Sequence, residues 1–104
     1  MTKLSGKVAI VTGGSRDIGR AVSVKLASEG AKVVVNYCNN EEQANETLAE
    51  IEAAGGTAIT VKGDMTKAED VTALVAVSQA AFGEQIDVLV NVVGGLVALS
   101  LIHI

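Results

Sequence analysis

The chain has 104 residues, a hydrophobic fraction of 49%, a charged fraction of 19% and a formal net charge of −4. This length predicts one small domain or part of one, and the apolar composition excludes a disordered chain. One tyrosine, one phenylalanine and an acidic balance exclude nucleic-acid binding, which requires a cationic surface and stacking rings.

In chain order, four short runs rich in β-branched residues alternate with three segments of helical periodicity. The strands are predicted at 7–12, 32–37, 57–62 and 87–92, and the helices at about 17–29, 41–54 and 67–82. The first, second and fourth strands are almost continuously apolar, which is typical of strands covered on both faces. The pattern β-α-β-α-β-α-β predicts an α/β fold with a parallel, doubly wound sheet and strand order 3-2-1-4.

The helix boundaries carry their own signals. Asn40 with Gln43, and Thr66 with Glu69, are interpreted as N-terminal caps. Glycines follow each helix where a left-handed residue is common. The apolar faces are predicted from residues three and four apart. The glycines are Gly30, Gly55 and Gly83, and the faces are Ile18/Val22/Leu26, Ala44/Leu48/Ile51 and Val71/Leu74/Val75/Ser78/Phe82.

A glycine-rich loop, 12-TGGSRDIG-19, lies between the first strand and the first helix. In this position the free amides and partial positive charge of the helix N-terminus favour phosphate. Gly13 allows a tight turn, and Gly19 allows the helix to pack closely on the sheet. The loop therefore predicts a dinucleotide site. It lacks the Gly-Lys-Ser/Thr ending of a P-loop phosphotransferase.

With this spacing the sequence resembles the short-chain dehydrogenase/reductase family, whose signature is Thr-Gly-x-x-x-Gly-x-Gly. Gly63-Asp64-Met65 follows the third strand, where the family has an adenine-binding Asp, and 91-NVVG-94 matches the family's Asn-Asn-Ala-Gly at its first and last positions. Asn36-Tyr37 is similar to members of the 3-oxoacyl-carrier-protein reductase type. The resemblance covers residues 6–95 and implies the N-terminal half of a Rossmann fold, a single truncated unit with an atypical apolar tail at 96–104.

The resemblance implies that the glycine loop cradles the pyrophosphate, that Asp64 and Met65 hold adenine, and that Asn91 and Gly94 border the ribose and nicotinamide. Two of these roles have structural alternatives. Asp64 also suits the start of a helix, and Asn91 also suits a tie between neighbouring backbones. The full set of residues expected at the cofactor site is Gly13, Ser15, Arg16, Asp17, Ile18, Gly19, Asn36, Tyr37, Cys38, Asp64, Met65, Asn91, Val93 and Gly94.

The end of the second strand favours NADP(H) over NAD(H). NAD-specific sites usually place an acid there for the ribose 2′-hydroxyl, whereas this chain has Tyr37 and Cys38. Arg16 could pair with a 2′-phosphate, although a solvated loop cation is the alternative interpretation.

Asp17 stands where the family has a glycine. At about 5 Å from a phosphate, with an effective dielectric near 20, it would cost roughly 3 kcal/mol per charge pair. Alternatively, it points outward and caps the first turn of its own helix, which is the interpretation we favour. Tighter NADPH binding in Asp17→Gly would indicate opposition to the phosphates.

No catalytic residue is expected in this chain, and no metal site. The family's chemistry needs a Tyr-x-x-x-Lys pair with a Ser, yet Glu41 stands four residues after Tyr37, where an acid would raise the pKa of the phenol. Ser100 and His103 lie in the tail without an acid to orient the imidazole. The resemblance thus implies an NADP-dependent oxidoreductase as the complete enzyme, with this chain inactive alone.

The strand order predicts that the apolar fourth strand forms an exposed sheet edge, which favours a homo-oligomer or a complementing chain. The tail 96–104 could form a strand or a helix. A non-catalytic nucleotide-binding or dimerising module is therefore the alternative function. A lone Cys38, no secretory signal and an apolar tract marginal for a membrane span predict a cytoplasmic protein without membrane partners.

Overall fold

The computed structural model describes residues 4–13, 17–93 and 96–101, the last six as backbone. All seven predicted elements are present, each within one residue of its predicted bounds, and an eighth follows them. They are β1 (Val8–Thr12), α1 (Asp17–Ser28), β2 (Lys32–Tyr37), α2 (Glu41–Ala53), β3 (Thr57–Lys62), α3 (Ala68–Phe82), β4 (Val88–Val93) and β5 (Leu96–Leu101).

The sheet has the order β3-β2-β1-β4-β5. Its first four strands are parallel, which confirms the predicted order 3-2-1-4. β5 runs antiparallel to β4, from Leu96 beside Val93 to Leu101 beside Val88. The prediction that β4 forms the sheet edge is therefore wrong. An antiparallel return needs only a short link, and it pairs the backbone of β4 on the side that we expected to be free.

Two apolar clusters lie on opposite faces of the sheet, because successive strand residues point in opposite directions. Of the side chains described, ten buried ones form the larger cluster, which includes Ala27 of α1 and Ile51 of α2. Four form the smaller one, with Leu74 of α3 over Ile10 and Val34. The sheet is therefore covered on both faces, but the α3 face has much the thinner core.

The buried side of α1 differs from the predicted face. Ile18 is 43% exposed, and Val22 and Leu26 are only partly buried. Ser23 and Ala27 are the buried residues, together with Gly19. Small side chains let the helix axis approach the sheet closely. The larger apolar residues of the predicted face therefore lie beside the centre of the helix–sheet contact, and the small residues occupy it.

The other two helices follow their predicted faces more closely. Ala44 and Ile51 of α2 are buried, as are Leu74 and Ser78 of α3. Val71 is an exception at 40% exposed. The buried Thr47 of α2 was not expected.

Helix ends were predicted with mixed success. Gly30, Gly55 and Gly83 all have positive φ, as expected of residues that follow a helix. The Oδ1 atom of Asn40 accepts a hydrogen bond from the Gln43 amide at 3.0 Å, which confirms the first cap.

The second predicted cap is wrong. α3 begins after Lys67, which makes no side-chain cap, and Thr66 lies outside the helix. Its hydroxyl donates to Asp64 Oδ1 at 2.6 Å instead. A local Asp turn therefore takes the group that was expected to cap the helix.

Arg20 joins α1 to α2. Its Nε donates to Thr47 Oγ1 at 2.9 Å, and one terminal nitrogen donates to Gln43 Oε1 at 2.7 Å and to Glu46 Oε1 at 3.1 Å. Arg20 and Glu46 are both partly exposed, and an ion pair in contact with water contributes little. The hydrogen bonds therefore hold α1 and α2 together more than the ion pair does.

Candidate dinucleotide site

The predicted site residues gather at the carboxyl edge of the parallel strands. Gly13 follows β1, Cys38 follows β2, Gly63 follows β3, and Asn91 lies in β4 beside Thr12. Ligands of open α/β sheets bind at this edge, near the point where the strand order reverses. Here that point lies between β1 and β4, since the chain passes from β1 to β2 on one side and reaches β4 on the other.

Gly13 is required by the geometry of the sheet. Its φ is +66°, and a Cβ atom there would lie 2.8 Å from the carbonyl oxygen of Val92 in β4. A side chain at this position would therefore force β1 and β4 apart. Gly19 is buried in the first turn region of α1, which brings the helix close to the sheet. Both glycines thus fit the close backbone approach that a pyrophosphate loop needs.

The remainder of this loop is described only in part. Ser15 and Arg16 lie outside the described residues. Asp17 is the first residue of α1, but its side chain is not among those described. The choice between a helix-capping and a phosphate-opposing Asp17 therefore stays a prediction.

Asn36 is buried at 3% exposure and uses its side chain internally. Its Oδ1 accepts from the Gly13 amide at 3.3 Å, and its Nδ2 donates to the carbonyl oxygens of Val61 and Gly63, each at 3.2 Å. The amide therefore joins the end of β2 to the chain leaving β1 and β3.

Tyr37 is buried and its hydroxyl donates to Glu41 Oε2 at 3.3 Å. Burial raises the pKa of the phenol above its usual value, and the negative charge and hydrogen bond of Glu41 raise it further. The expected direction of the shift is confirmed. A phenol held neutral in this way is unsuited to act as a base near neutral pH. Cys38, the next residue, is exposed.

Asp64 forms a turn ahead of α3. Its Oδ1 accepts from the amide of Thr66 at 2.9 Å as well as from the hydroxyl. These bonds lower the pKa of the carboxyl group, with a smaller contribution from the Lys67 charge. The Asp64 amide in turn donates to Asp70 Oδ2 at 2.8 Å. One carboxylate oxygen of Asp64 is thus committed to the turn.

A polar cavity of about 400 Å³ lies between the ends of β2 and β3. Two lysines face it, and neither forms an ion pair with another described residue. The lining residues are Cys38, Asn39, Lys62, Gly63, Asp64, Lys67 and Asp70. Sequence reasoning missed both lysines, although Lys62 precedes Asp64 by two residues and ends the strand beside Tyr37.

Asn91 is tied to β1 through Thr12, whose hydroxyl donates to Asn91 Oδ1 at 2.6 Å. This contact orients the amide so that its nitrogen points away from Thr12. Both residues also line an apolar cavity of about 310 Å³ between α3 and the sheet, as does Met65. The side chain of Val93 and all of Gly94 lie outside the described part of the chain.

The structure thus brings Gly13, Asn36, Tyr37, Cys38, Asp64, Met65 and Asn91 to one edge of the sheet. Among the residues it describes, no group of three or more His, Cys, Asp or Glu side chains could hold a metal ion. No helix within those same residues is long and apolar enough to cross a membrane.

Comparison with known proteins places these features in a family context. Residues 7–103 match the family of short chain dehydrogenases. Two curated relatives are an uncharacterized oxidoreductase of Methylorubrum extorquens, 47% identical over 88% of this chain, and a probable tetrahydroxynaphthalene reductase of Zymoseptoria tritici, 46% identical over 80%. The chain covers 36% and 31% of their respective lengths, about a third of each.

A solved dehydrogenase/reductase from Sinorhizobium meliloti superposes with a TM-score of 0.84 at 44% identity. The match covers 88% of this chain and 36% of that protein. None of these three relatives is named as a 3-oxoacyl-carrier-protein reductase, so the finer resemblance stays a prediction.

Proposed function

We propose that this chain, which belongs to the short-chain dehydrogenase family, is a cofactor-binding unit for NADP(H). Family membership supports a nicotinamide dinucleotide as the ligand. The observation that carries the proposal is the convergence of Gly13, Cys38, Asp64 and Asn91 at the carboxyl ends of four parallel strands. That edge offers a tight glycine turn, a polar cavity and an oriented amide in one row.

The proposed preference for NADP(H) rests on charge at the adenosine end of the site. β2 ends at Tyr37 and Cys38 follows it, and neither residue offers a carboxylate to a ribose 2′-hydroxyl. Glu41, the first residue of α2, accepts the hydrogen bond of Tyr37, and the acids that line the cavity itself are Asp64 and Asp70. Lys62 and Lys67 border the polar cavity there without ion-pair partners among the described residues. We propose that these lysines, with Arg16, meet a 2′-phosphate.

In the complete reaction of such an enzyme, the bound cofactor would exchange hydride with a carbonyl or alcohol. This chain would bind and orient the dinucleotide but not perform the reaction. Its one tyrosine donates to Glu41 and has a raised pKa, and Glu41 stands where the family's catalytic pair has a lysine. We therefore propose that the chain alone does not oxidise NADPH in the presence of ketones.

The proposal is tested by calorimetric titration of the purified chain with NADPH and NADH. We expect NADPH to bind at least tenfold more tightly, and Lys62→Gln to reduce that ratio. Lys32→Gln is the matched control, because Lys32 begins β2 at the opposite edge of the sheet. Equal affinity for both cofactors would overturn the NADP preference, and absence of binding to either would overturn the function itself. Ketone-dependent oxidation of NADPH by the chain would contradict the proposed inactivity.

We propose, second, that a partner binds at the apolar surface of α3. The apolar cavity beside α3 and the two exposed valines of that helix support association with another copy or a complementing chain. A non-catalytic, dimerising nucleotide-binding module would use the same surface. Cytoplasmic placement remains our expectation from Cys38.

A further inference from the structure

We propose that Asn36 is a positioning residue, which sets the backbone of the dinucleotide site without touching the cofactor. The inference rests on the proposed function, because it assigns a role to Asn36 within that site. The side chain is 3% exposed, and it makes three hydrogen bonds to backbone groups of two other chain segments. It has no hydrogen left to offer a ligand.

The contacts require an asparagine. One acceptor faces the Gly13 amide, and both hydrogens of Nδ2 face carbonyl oxygens, those of Val61 and Gly63. A carboxylate of the same shape would keep the first contact but oppose both carbonyl oxygens. An alanine would remove the side-chain partner of three backbone groups at a partly buried position.

The three bonded groups belong to two segments of the proposed site. Gly13 begins the loop of the pyrophosphate, and Gly63 precedes the Asp64–Met65 turn of the adenine. The Gly63 amide donates to the carbonyl oxygen of Tyr37 at 2.9 Å, which is a backbone hydrogen bond between the ends of β3 and β2. Asn36 therefore fixes the spacing between the two segments that a dinucleotide would bridge.

Asp87 provides a matched control at the opposite edge of the sheet. It is buried at 7% exposure, and its Oδ2 accepts from the Val8 amide at 2.9 Å. It therefore ties the start of β1 to the segment before β4, much as Asn36 ties the end of β1 to β3. Asp87→Asn should destabilise the fold while leaving the site unchanged.

The experiment measures NADP⁺ affinity, unfolding by urea and exchange of the Gly13 amide by NMR in wild type, Asn36→Ala, Asn36→Asp and Asp87→Asn. We expect Asn36→Ala to bind NADP⁺ at least tenfold more weakly and to lose protection at Gly13. Asp87→Asn should bind NADP⁺ with an affinity within twofold of wild type, even if it loses as much stability as Asn36→Ala. Affinities are compared at temperatures where each variant is folded.

Asn36→Asp adds a pH signature that a merely structural role would not give. The introduced carboxyl faces two carbonyl oxygens, so its pKa should be raised and its protonated form favoured in the folded chain. Protonation restores one donor. NADP⁺ affinity of this variant should therefore recover toward wild type as the pH falls from 7 to 5, by several-fold.

The outcomes separate this inference from the proposed function. Affinity of Asn36→Ala within twofold of wild type, or an equal loss in Asp87→Asn, would overturn the positioning role. If wild type binds no dinucleotide, the proposed function fails, and Gly13 exchange then decides the role of Asn36. If wild type binds no dinucleotide and the protection of the Gly13 amide is unchanged in Asn36→Ala, the positioning role of Asn36 is also overturned.

Discussion

Gly13 and Gly55 both have positive φ, but only Gly13 has a neighbour where a side chain would go. A Cβ at Gly13 would lie 2.8 Å from Val92 O, whereas nothing lies within 4 Å of a Cβ at Gly55. Left-handed backbone costs alanine about 1–2 kcal/mol at either position. We expect Gly13→Ala to be more destabilising than Gly55→Ala by at least ~1 kcal/mol, because β4 must also shift. Urea unfolding measures the difference, and equal losses would contradict it.

The one tyrosine gives a direct pH test. Burial and Glu41 raise the pKa of Tyr37 in the folded chain, so the neutral phenol is favoured there. Its contribution to stability is complete below the ordinary pKa near 10 and is lost as pH rises through the folded value. Ultraviolet absorbance of the tyrosinate should show a midpoint above that of the urea-unfolded chain. Glu41→Gln should lower the midpoint without abolishing the shift, since burial is the larger cause. A midpoint at or below the unfolded value would refute this.

The residues of the candidate site could be proposed one by one from the sequence, while their mutual hydrogen bonds could not. Gly13, Asp64 and Asn91 stand out because a glycine, an acid and an amide occur at or near the carboxyl ends of predicted strands. That Asn36 is an internal tie depends on burial and on which backbone groups β1 and β3 present to it. Neither property is local to the sequence around Asn36.

At the scale of elements, local signals predicted the helices and strands well because periodicity and terminal glycines agree. The cap at Thr66 failed because Asp64, two residues earlier, competes for the same hydroxyl. β5 could not be predicted because 96-LVALSL-101 fits a strand or a helix, and the choice is made by the free edge of β4. The hydrogen bonds from Arg20 to α2 were also missed, because the partners of Arg20 are more than twenty residues away in the sequence.

Removal of β5 tests how far it stabilises β4. A chain ending at residue 95 would leave the backbone of β4 unpaired along one edge. We expect it to lose about 2–4 kcal/mol, from a few backbone hydrogen bonds of ~1 kcal/mol each, and to aggregate more readily. A chain ending at residue 101 is the control and should melt like the full sequence. Thermal melting with light scattering measures both. Identical melting of the two shortened chains would show that β5 contributes nothing.

For the molecule as a whole, the two faces of the sheet are unequally protected. Among the side chains that the structure describes, four buried residues form the core under α3, against ten on the opposite face. Val71 and Val77 of α3 are 40% and 44% exposed, and Val71 lines an apolar cavity between α3 and the sheet. The net free energy of folding of a chain of this length is small. The stabilisation lost by leaving apolar surface exposed on one face is therefore large in comparison.

We therefore expect the chain to be marginally stable as a monomer and to gain stability by association. Its melting temperature should rise with protein concentration, since a folded partner shifts the equilibrium by mass action. Val71→Glu should weaken association, because the charge would lie at the apolar cavity. Ile18→Glu is the matched control, being 43% exposed but on α1, and should change association little. Sedimentation over a range of concentrations measures both. A cooperatively melting monomer whose stability is independent of concentration would contradict the expectation, and the partner proposal would fail with it.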